Sequence, residues 1–109
     1  MESMLERFGD DRSFLRELFE IFLKSLSEQR HLLDSAMDDG DESAARDAVH
    51  LIAGASANVG AEAVSAVASD LESLLIVNDM AGATELLPRL DEACLQAVAF
   101  IRDYIDSPQ

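Results

Sequence analysis

Residues 48–60 read AVHLIAGASANVG, and the rest of the chain is organised around this stretch. It contains His50, one of two histidines in the sequence, surrounded by small side chains. Its helical period, followed by Gly60 as a suitable C-terminal cap, predicts a helix over residues 42–59. The small residues suit close packing against other helices, so this stretch points to a helical bundle.

The helix has two distinct sides. At about 100° per residue, His50 shares one side with Arg46, Ala53, Gly54 and Ala57. The opposite side is apolar and is formed by Ala45, Ala48, Ile52, Ala55 and Val59. We therefore expect His50 to point outward from a helix that packs tightly in the core.

Gly54 needs an explanation, because a glycine inside a helix costs about 1 kcal/mol relative to alanine. One explanation is packing, if the glycine lets another helix approach closely. The other is clearance, if it leaves room for a group attached to the imidazole and for a partner surface. The projection favours clearance, since Gly54 lies on the His50 side.

His50 is the candidate reactive residue. A neutral imidazole is nucleophilic near neutral pH and needs no second base. A serine protease-like triad is not supported: Ser43 and Asp47 are near in sequence, but nothing suggests an oxyanion hole or a substrate pocket. From these residues alone, His50 is either a reactive nucleophile or an ordinary surface histidine.

The remaining chain is also predicted to be helical. Apolar residues at three- and four-residue spacing indicate further helices at about 2–8, 11–38, 61–77 and 81–105. No stretch alternates with period two, and there is no glycine-rich phosphate loop. Short connections make consecutive helices antiparallel, so we expect an all-α, up-down four-helix bundle with a short extra N-terminal helix, in one domain covering residues 1–109.

The sequence also predicts which residues of the helix at 11–38 form its core stripe, and how Pro88 affects the last helix. The core stripe predicted for the helix at 11–38 consists of Phe14, Leu18, Ile21, Phe22, Leu26, Leu32, Leu33, Ala36 and Met37. In the last helical region, Pro88 lacks an amide hydrogen. It therefore either opens the final helix in its first turn or kinks one longer helix.

Composition limits the partners. The chain of 109 residues has 22 acidic and 8 basic side chains, a formal charge of -14. This charge argues against nucleic acid and anionic membranes, and it favours either a partner with a basic patch or solubility alone. No apolar run reaches the ~20 residues of a membrane span, so we expect a cytoplasmic protein.

Cys94 is the single cysteine and is expected in the core, and His31 lacks companions for a metal site.

Residues 50–60, HLIAGASANVG, resemble the motif of the histidine phosphotransfer (HPt) domain of bacterial multistep phosphorelays, approximately H-x-L-K-G-[SAG]-[SA]-x-[NT]-[LVF]-G. The resemblance extends to the FGD of residues 8–10 and to the helix and GD turn before the motif. Asn58 stands where chemotaxis-kinase versions usually carry threonine, which indicates the phosphorelay type.

The resemblance implies a role for each part of the site. His50 would be the phosphoacceptor, through Nε2, with Arg46, Ala53, Gly54 and Ala57 around the phosphoryl group and the docking partner. The partners would be response-regulator receiver domains, a hybrid sensor histidine kinase, or both. The domain would have no kinase activity and no cofactor or metal of its own, with Mg²⁺ supplied by the receiver, and it would be a monomer.

One position departs from the family pattern. Ala53 stands where the family usually has lysine, which can offset the charge of the phosphoryl group. Arg46 is the nearby cation that could substitute, and Asp47 is a competitor for it. This departure supports an alternative, a docking module that regulates a receiver or kinase without phosphoryl transfer. A third possibility is an unrelated bundle in which the motif is accidental.

Overall fold

The computed structural model describes residues 12–106, which are helical apart from three short turns. The helices are α1 (Arg12–Asp39), α2 (Glu42–Asn58), α3 (Glu62–Ile76) and α4 (Met80–Asp106). The all-α prediction is confirmed, and the bounds of these four helices differ from the predicted ones by at most one residue. The short helix predicted at residues 2–8 lies outside the described part of the chain.

Local chemistry explains where the helices begin and end. Gly40 and Gly60 have φ values of 67° and 76°, in the left-handed region that favours glycine after a helix. Asp41 caps α2, because its Oδ1 accepts a hydrogen bond from the amide of Ala44 at 3.1 Å. The turn before α4 also has a left-handed residue, Asn78, with φ 58°.

Pro88 lies inside α4, which runs from Met80 to Asp106 as one helix. Of the two alternatives for this proline, the structure therefore excludes the one in which it opens the final helix. The carbonyl of Thr84, four residues earlier, has no amide donor at Pro88.

Aliphatic side chains from all four helices form one core. The largest completely buried side chains are Phe19, Leu15, Leu33, Ile52, Leu71, Leu75, Leu90, Ile101, Val49 and Val64. The aromatic rings of Phe19 and Tyr104 meet edge to face, with centroids 5.3 Å apart.

The core stripe predicted for α1 was partly wrong. Phe22, Leu26, Leu33 and Ala36 are buried as expected, but Leu15 and Phe19 occupy the core as well. The side chains left outside are Phe14, Ile21 and Leu32. Apolar residues cover a wider arc of α1 than one face, and periodicity alone does not indicate which part of that arc meets the other helices.

Polar contacts also join α1 to α4. Arg16 donates to the carbonyl of Ile105 at 2.6 Å, and Arg30 forms ion pairs with both Asp34 and Asp91. As the residue number rises along α1, that of its partner falls along α4, as in an antiparallel pair. The complete up-down order of the bundle stays a prediction.

The same contacts affect titratable groups. Burial lowers the pKa of the Arg30 guanidinium, but the hydrogen bond to Asp91 and the charges of Asp34 and Asp91 more than compensate, so its pKa is raised. Burial raises the pKa of the Cys94 thiol to about 11. Cys94 is partly buried against the core, which is close to the small core residue expected from the sequence.

Ser56 is a buried polar residue on α2 that the sequence did not single out. It is 0% exposed, and within residues 12–106 its hydroxyl has no hydrogen-bond partner. Its backbone carbonyl accepts from the amide of Ala61 at 2.8 Å in the turn that ends the helix. A small side chain at this position lets α2 lie close to its neighbours.

Candidate functional site

His50 lies in the middle of α2 and points to solvent. Its side chain is 72% exposed, whereas Val49, the residue before it, is completely buried. The predicted apolar side of the helix is buried apart from Ala55, which is partly exposed. The orientation expected for His50 is therefore confirmed.

The imidazole is held from one side by a residue of α3. His50 Nδ1 lies 2.8 Å from Oε2 of Glu72, whose side chain is 26% exposed. An ionised carboxylate can only accept a hydrogen bond, so against ionised Glu72 it is Nδ1 that carries the proton and donates the hydrogen bond. In a neutral imidazole this leaves Nε2 as the unprotonated, nucleophilic nitrogen.

Glu72 was missed by the sequence reasoning, because it lies 22 residues after His50 and on another helix. Ser65 and Glu72 are seven residues apart on α3, close to two helical turns, and therefore share a face. Ser65 donates to the carbonyl of Ala53 at 3.2 Å, so this face of α3 meets α2 along the side that carries His50.

Gly54 provides open space beside the histidine. A Cβ atom built at this position would meet no atom within 4 Å, apart from the helix's own nearby backbone. Close approach of another described helix therefore does not explain the glycine. Of the two explanations, clearance is the one that agrees with the structure.

The other small residues of the predicted site also belong to this surface. Ala57 is exposed and Ala53 is partly buried. Because both side chains are methyl groups, neither projects far from α2 on the side that carries His50. A phosphoryl group on Nε2 would have room above it.

Arg46 does not have the partner that the sequence suggested. Its Nη1 lies 3.5 Å from Oε1 of Glu42, one turn earlier on α2. Asp47, the expected competitor, forms no ion pair with it. Arg46 is thus attracted toward the start of α2 and away from His50, which weakens it as a substitute for the missing lysine.

The arrangement suits nucleophilic group transfer. Attack by Nε2 would place positive charge on the imidazole, and the proton already on Nδ1 faces a carboxylate that stabilises this charge.

Across residues 12–106, no group of three or more His, Cys, Asp or Glu side chains could hold a metal ion. None of the four described helices is long and apolar enough to cross a membrane.

Comparison with known proteins identifies the class. The chain, whose described residues form four helices with His50 exposed in the middle of α2, matches the family model of the Hpt domain over residues 17–100. The chain belongs to the Hpt domain family, whose members have a phosphotransfer role in two-component signalling. Neither a curated protein nor a solved structure matches it.

Family membership supports the general role and not the individual residues. Hpt domains interact with response-regulator receivers and kinases in phosphorelays, and they generally lack kinase activity of their own. The matched residues include His50 and Glu72, and they also include the departure at Ala53.

Proposed function

We propose that His50 accepts a phosphoryl group from the phospho-aspartate of a response-regulator receiver domain and passes it to the aspartate of another receiver. The observation that carries this proposal is the exposed imidazole whose Nδ1–H donates to Glu72 at 2.8 Å. This contact leaves Nε2 free beside the open space at Gly54.

The proposed transfer needs no proton movement at the nucleophile. Nε2 of His50 attacks phosphorus, a P–N bond forms, and the P–O bond to the receiver aspartate breaks. The aspartate leaves as a carboxylate, and the imidazole becomes a phosphorylated cation whose Nδ1–H still donates a hydrogen bond to Glu72. Transfer to the second receiver is the reverse reaction with another carboxylate as nucleophile.

The cations that phosphoryl transfer needs, in addition to the nucleophile, would come from the partner. Phosphoryl transfer depends on positioning and on cations that offset the developing negative charge. Ala53 carries no charge, and Arg46 pairs with Glu42. We therefore propose that Mg²⁺ and further cations belong to the receiver, and that this domain contributes no cofactor and no kinase reaction. A monomeric state and a cytoplasmic location stay predictions.

A labelling experiment tests the function. A receiver of the source organism, phosphorylated with radioactive acetyl phosphate, is incubated with the wild-type chain, His50→Gln and His31→Gln. His31 is the other histidine and is also exposed, so it is the matched control. We expect acid-labile, base-stable label on the wild-type and His31→Gln chains and none on His50→Gln.

Two results would contradict this proposal. Label that survives His50→Gln would mean that the site is wrong. Tight receiver binding without label on any chain would favour the docking module, which the alanine at position 53 already suggested. Circular dichroism of His50→Gln is expected to show unchanged helix content, because the replaced side chain is exposed.

A further inference from the structure

A second groove lies between α1 and α4. These helices are joined at two levels, where Arg16 donates to the carbonyl of Ile105 and, further along α1, where Arg30 pairs with Asp91. Between the two levels the helices leave an open groove of about 260 Å³. All of its lining residues belong to α1 or α4.

Small side chains explain why this groove is open. The antiparallel register of the two helices places Ser27 of α1 level with Cys94 of α4, and larger residues there would fill the space. The apolar lining consists of Leu23, Leu26 and Val98, which belong to the core or pack against it. The groove therefore has an apolar floor, and none of the described residues that line it is acidic.

Two arginines line the groove, although the chain has only 8 basic residues against 22 acidic ones. Arg30 is already paired with Asp34 and Asp91. Arg102, in contrast, is exposed and forms no ion pair with any residue between 12 and 106. A guanidinium that lacks a counter-ion beside an apolar groove suits an anion with an apolar body, because it can donate two parallel hydrogen bonds to a carboxylate.

Volume and charge restrict the ligand further. An apolar cavity of about 150 Å³ holds benzene, and pockets for drug-sized molecules begin at about 300 Å³. A groove of about 260 Å³ therefore suits a ligand between these sizes, with about ten non-hydrogen atoms. A single negative charge matches the one unpaired guanidinium, whereas the second charge of a phosphate monoester would add to a formal charge of -14.

We propose that the groove between α1 and α4 binds a small apolar monocarboxylate. Its carboxylate would lie on Arg102, and its apolar body would cover Leu23 and Val98 on the floor of the groove. His50 and Glu72 lie on α2 and α3, which contribute no residue to this groove. The binding site is therefore separate from the candidate phosphotransfer site and does not rest on its assignment.

Octanoate is a suitable probe, because it has the required size and a single charge. It is titrated into the ¹⁵N-labelled full chain, and the amide chemical shifts are followed. We expect saturable shifts at Ser27, Cys94 and Val98, with a Kd of about 0.1–1 mM. Octanol, which has the same apolar chain without the charge, should bind at least fivefold more weakly.

Substitution of the unpaired arginine tests the contact with the carboxylate. Arg102→Gln should raise the Kd for octanoate at least fivefold, and Arg102→Lys, which keeps the charge, should lie between that variant and the wild type. The matched control is Arg89→Gln, because Arg89 is an exposed arginine of the same helix that does not line the groove. It should bind octanoate with wild-type affinity. Thermal unfolding is expected to show that all three variants fold, since both arginines are exposed.

The thiol of Cys94 locates the bound octanoate independently, because it lines the groove. Alkylation of the folded chain by iodoacetamide at alkaline pH should slow at least threefold in saturating octanoate, with a midpoint at the Kd from the titration. At the same octanoate concentrations, Arg102→Gln should show less protection than Arg89→Gln.

Each possible failure overturns the proposal. The absence of saturable shifts, equal binding of octanol and octanoate, or wild-type affinity in Arg102→Gln would exclude the contact with the carboxylate. Alkylation of Cys94 that saturating octanoate does not slow would mean that octanoate binds elsewhere. None of these measurements uses phosphoryl transfer, so the proposed function of His50 can fail without affecting them.

Discussion

Nδ1 of His50 lies 2.8 Å from Oε2 of Glu72, and this contact joins the centre of α2 to α3. The histidine is largely exposed and the glutamate largely covered, so a mostly buried carboxylate orients an exposed ring. Because the carboxylate accepts a hydrogen bond from Nδ1–H, the opposite ring nitrogen is the one presented to solvent.

Removing this carboxylate should slow phosphoryl transfer. We expect Glu72→Ala to reduce the rate of phosphorylation by a receiver at least tenfold, since hydrogen bonds to charged groups contribute about 1.5–3 kcal/mol. Glu72→Gln keeps an acceptor for Nδ1–H but loses the charge, so its rate should be intermediate. Transfer of radiolabel from the receiver, sampled at timed intervals, measures the rates of both variants.

Asp70→Ala is the control for this prediction, because Asp70 is an exposed acidic residue of the same helix, whereas the acidic partner of His50 is Glu72. Wild-type rates in both Glu72 variants would show that the contact does not orient the nucleophile. A receiver affinity that falls with the rate would indicate a docking role for Glu72 instead.

Substitutions at Gly54 should affect stability and phosphoryl transfer differently. Because a Cβ there meets open space, Gly54→Ala should raise the free energy of unfolding by up to about 1 kcal/mol. Gly54→Leu should also fold, but its side chain would fill the space beside His50 and lower the transfer rate at least tenfold. Urea unfolding and transfer assays measure the two effects.

Gly82 provides the comparison, since it is also a helical glycine. A Cβ at Gly82 would lie 2.5 Å from Oδ2 of Asp79, which accepts the Gly82 amide through its other oxygen. Gly82→Ala should therefore gain less stability than Gly54→Ala, or lose some. Full transfer activity in Gly54→Leu would contradict the clearance role of Gly54.

A lysine at position 53 should prolong the phosphorylated state. Ala53→Lys places a cation near the phosphoryl group, and an exposed charge pair is worth about 0.5–1 kcal/mol. We expect the lifetime of phospho-His50 to rise roughly two- to fivefold. The control Ala99→Lys makes the same charge change at an exposed position of α4. An equal lifetime in both variants would mean that the missing lysine has no effect here.

Cys94 should make stability depend on alkaline pH. Its folded-state pKa of about 11 exceeds the ordinary thiol value of 9.0, so the folded chain retains a proton that the unfolded chain loses. The stability associated with the neutral thiol is complete below pH 9 and is lost as the pH rises toward 11. Between pH 8 and 10, the wild type should lose at most about 1 kcal/mol more than Cys94→Ala.

Thiol reactivity gives an independent measurement of the same shift. At pH 8 the folded protein should react with a disulfide reagent about 100-fold more slowly than the urea-unfolded chain, because less thiolate is present. Equal rates would contradict the raised pKa.

Periodicity and turn chemistry allowed most of the fold to be predicted. Gly40, Gly60 and Asp41 act locally, through left-handed backbone or an adjacent amide, so the helix ends could be located to within a residue. The outward direction of His50 was also predictable, because the two sides of α2 differ clearly in polarity.

The tertiary structure decided what depends on neighbouring helices. It showed that Leu15 and Phe19 meet the core while Ile21 and Leu32 do not, a choice that a broad apolar arc leaves open. It also brought Glu72 to His50 across 22 residues of chain. Periodicity describes one helix at a time, whereas these contacts depend on how two helices are rotated and aligned against each other.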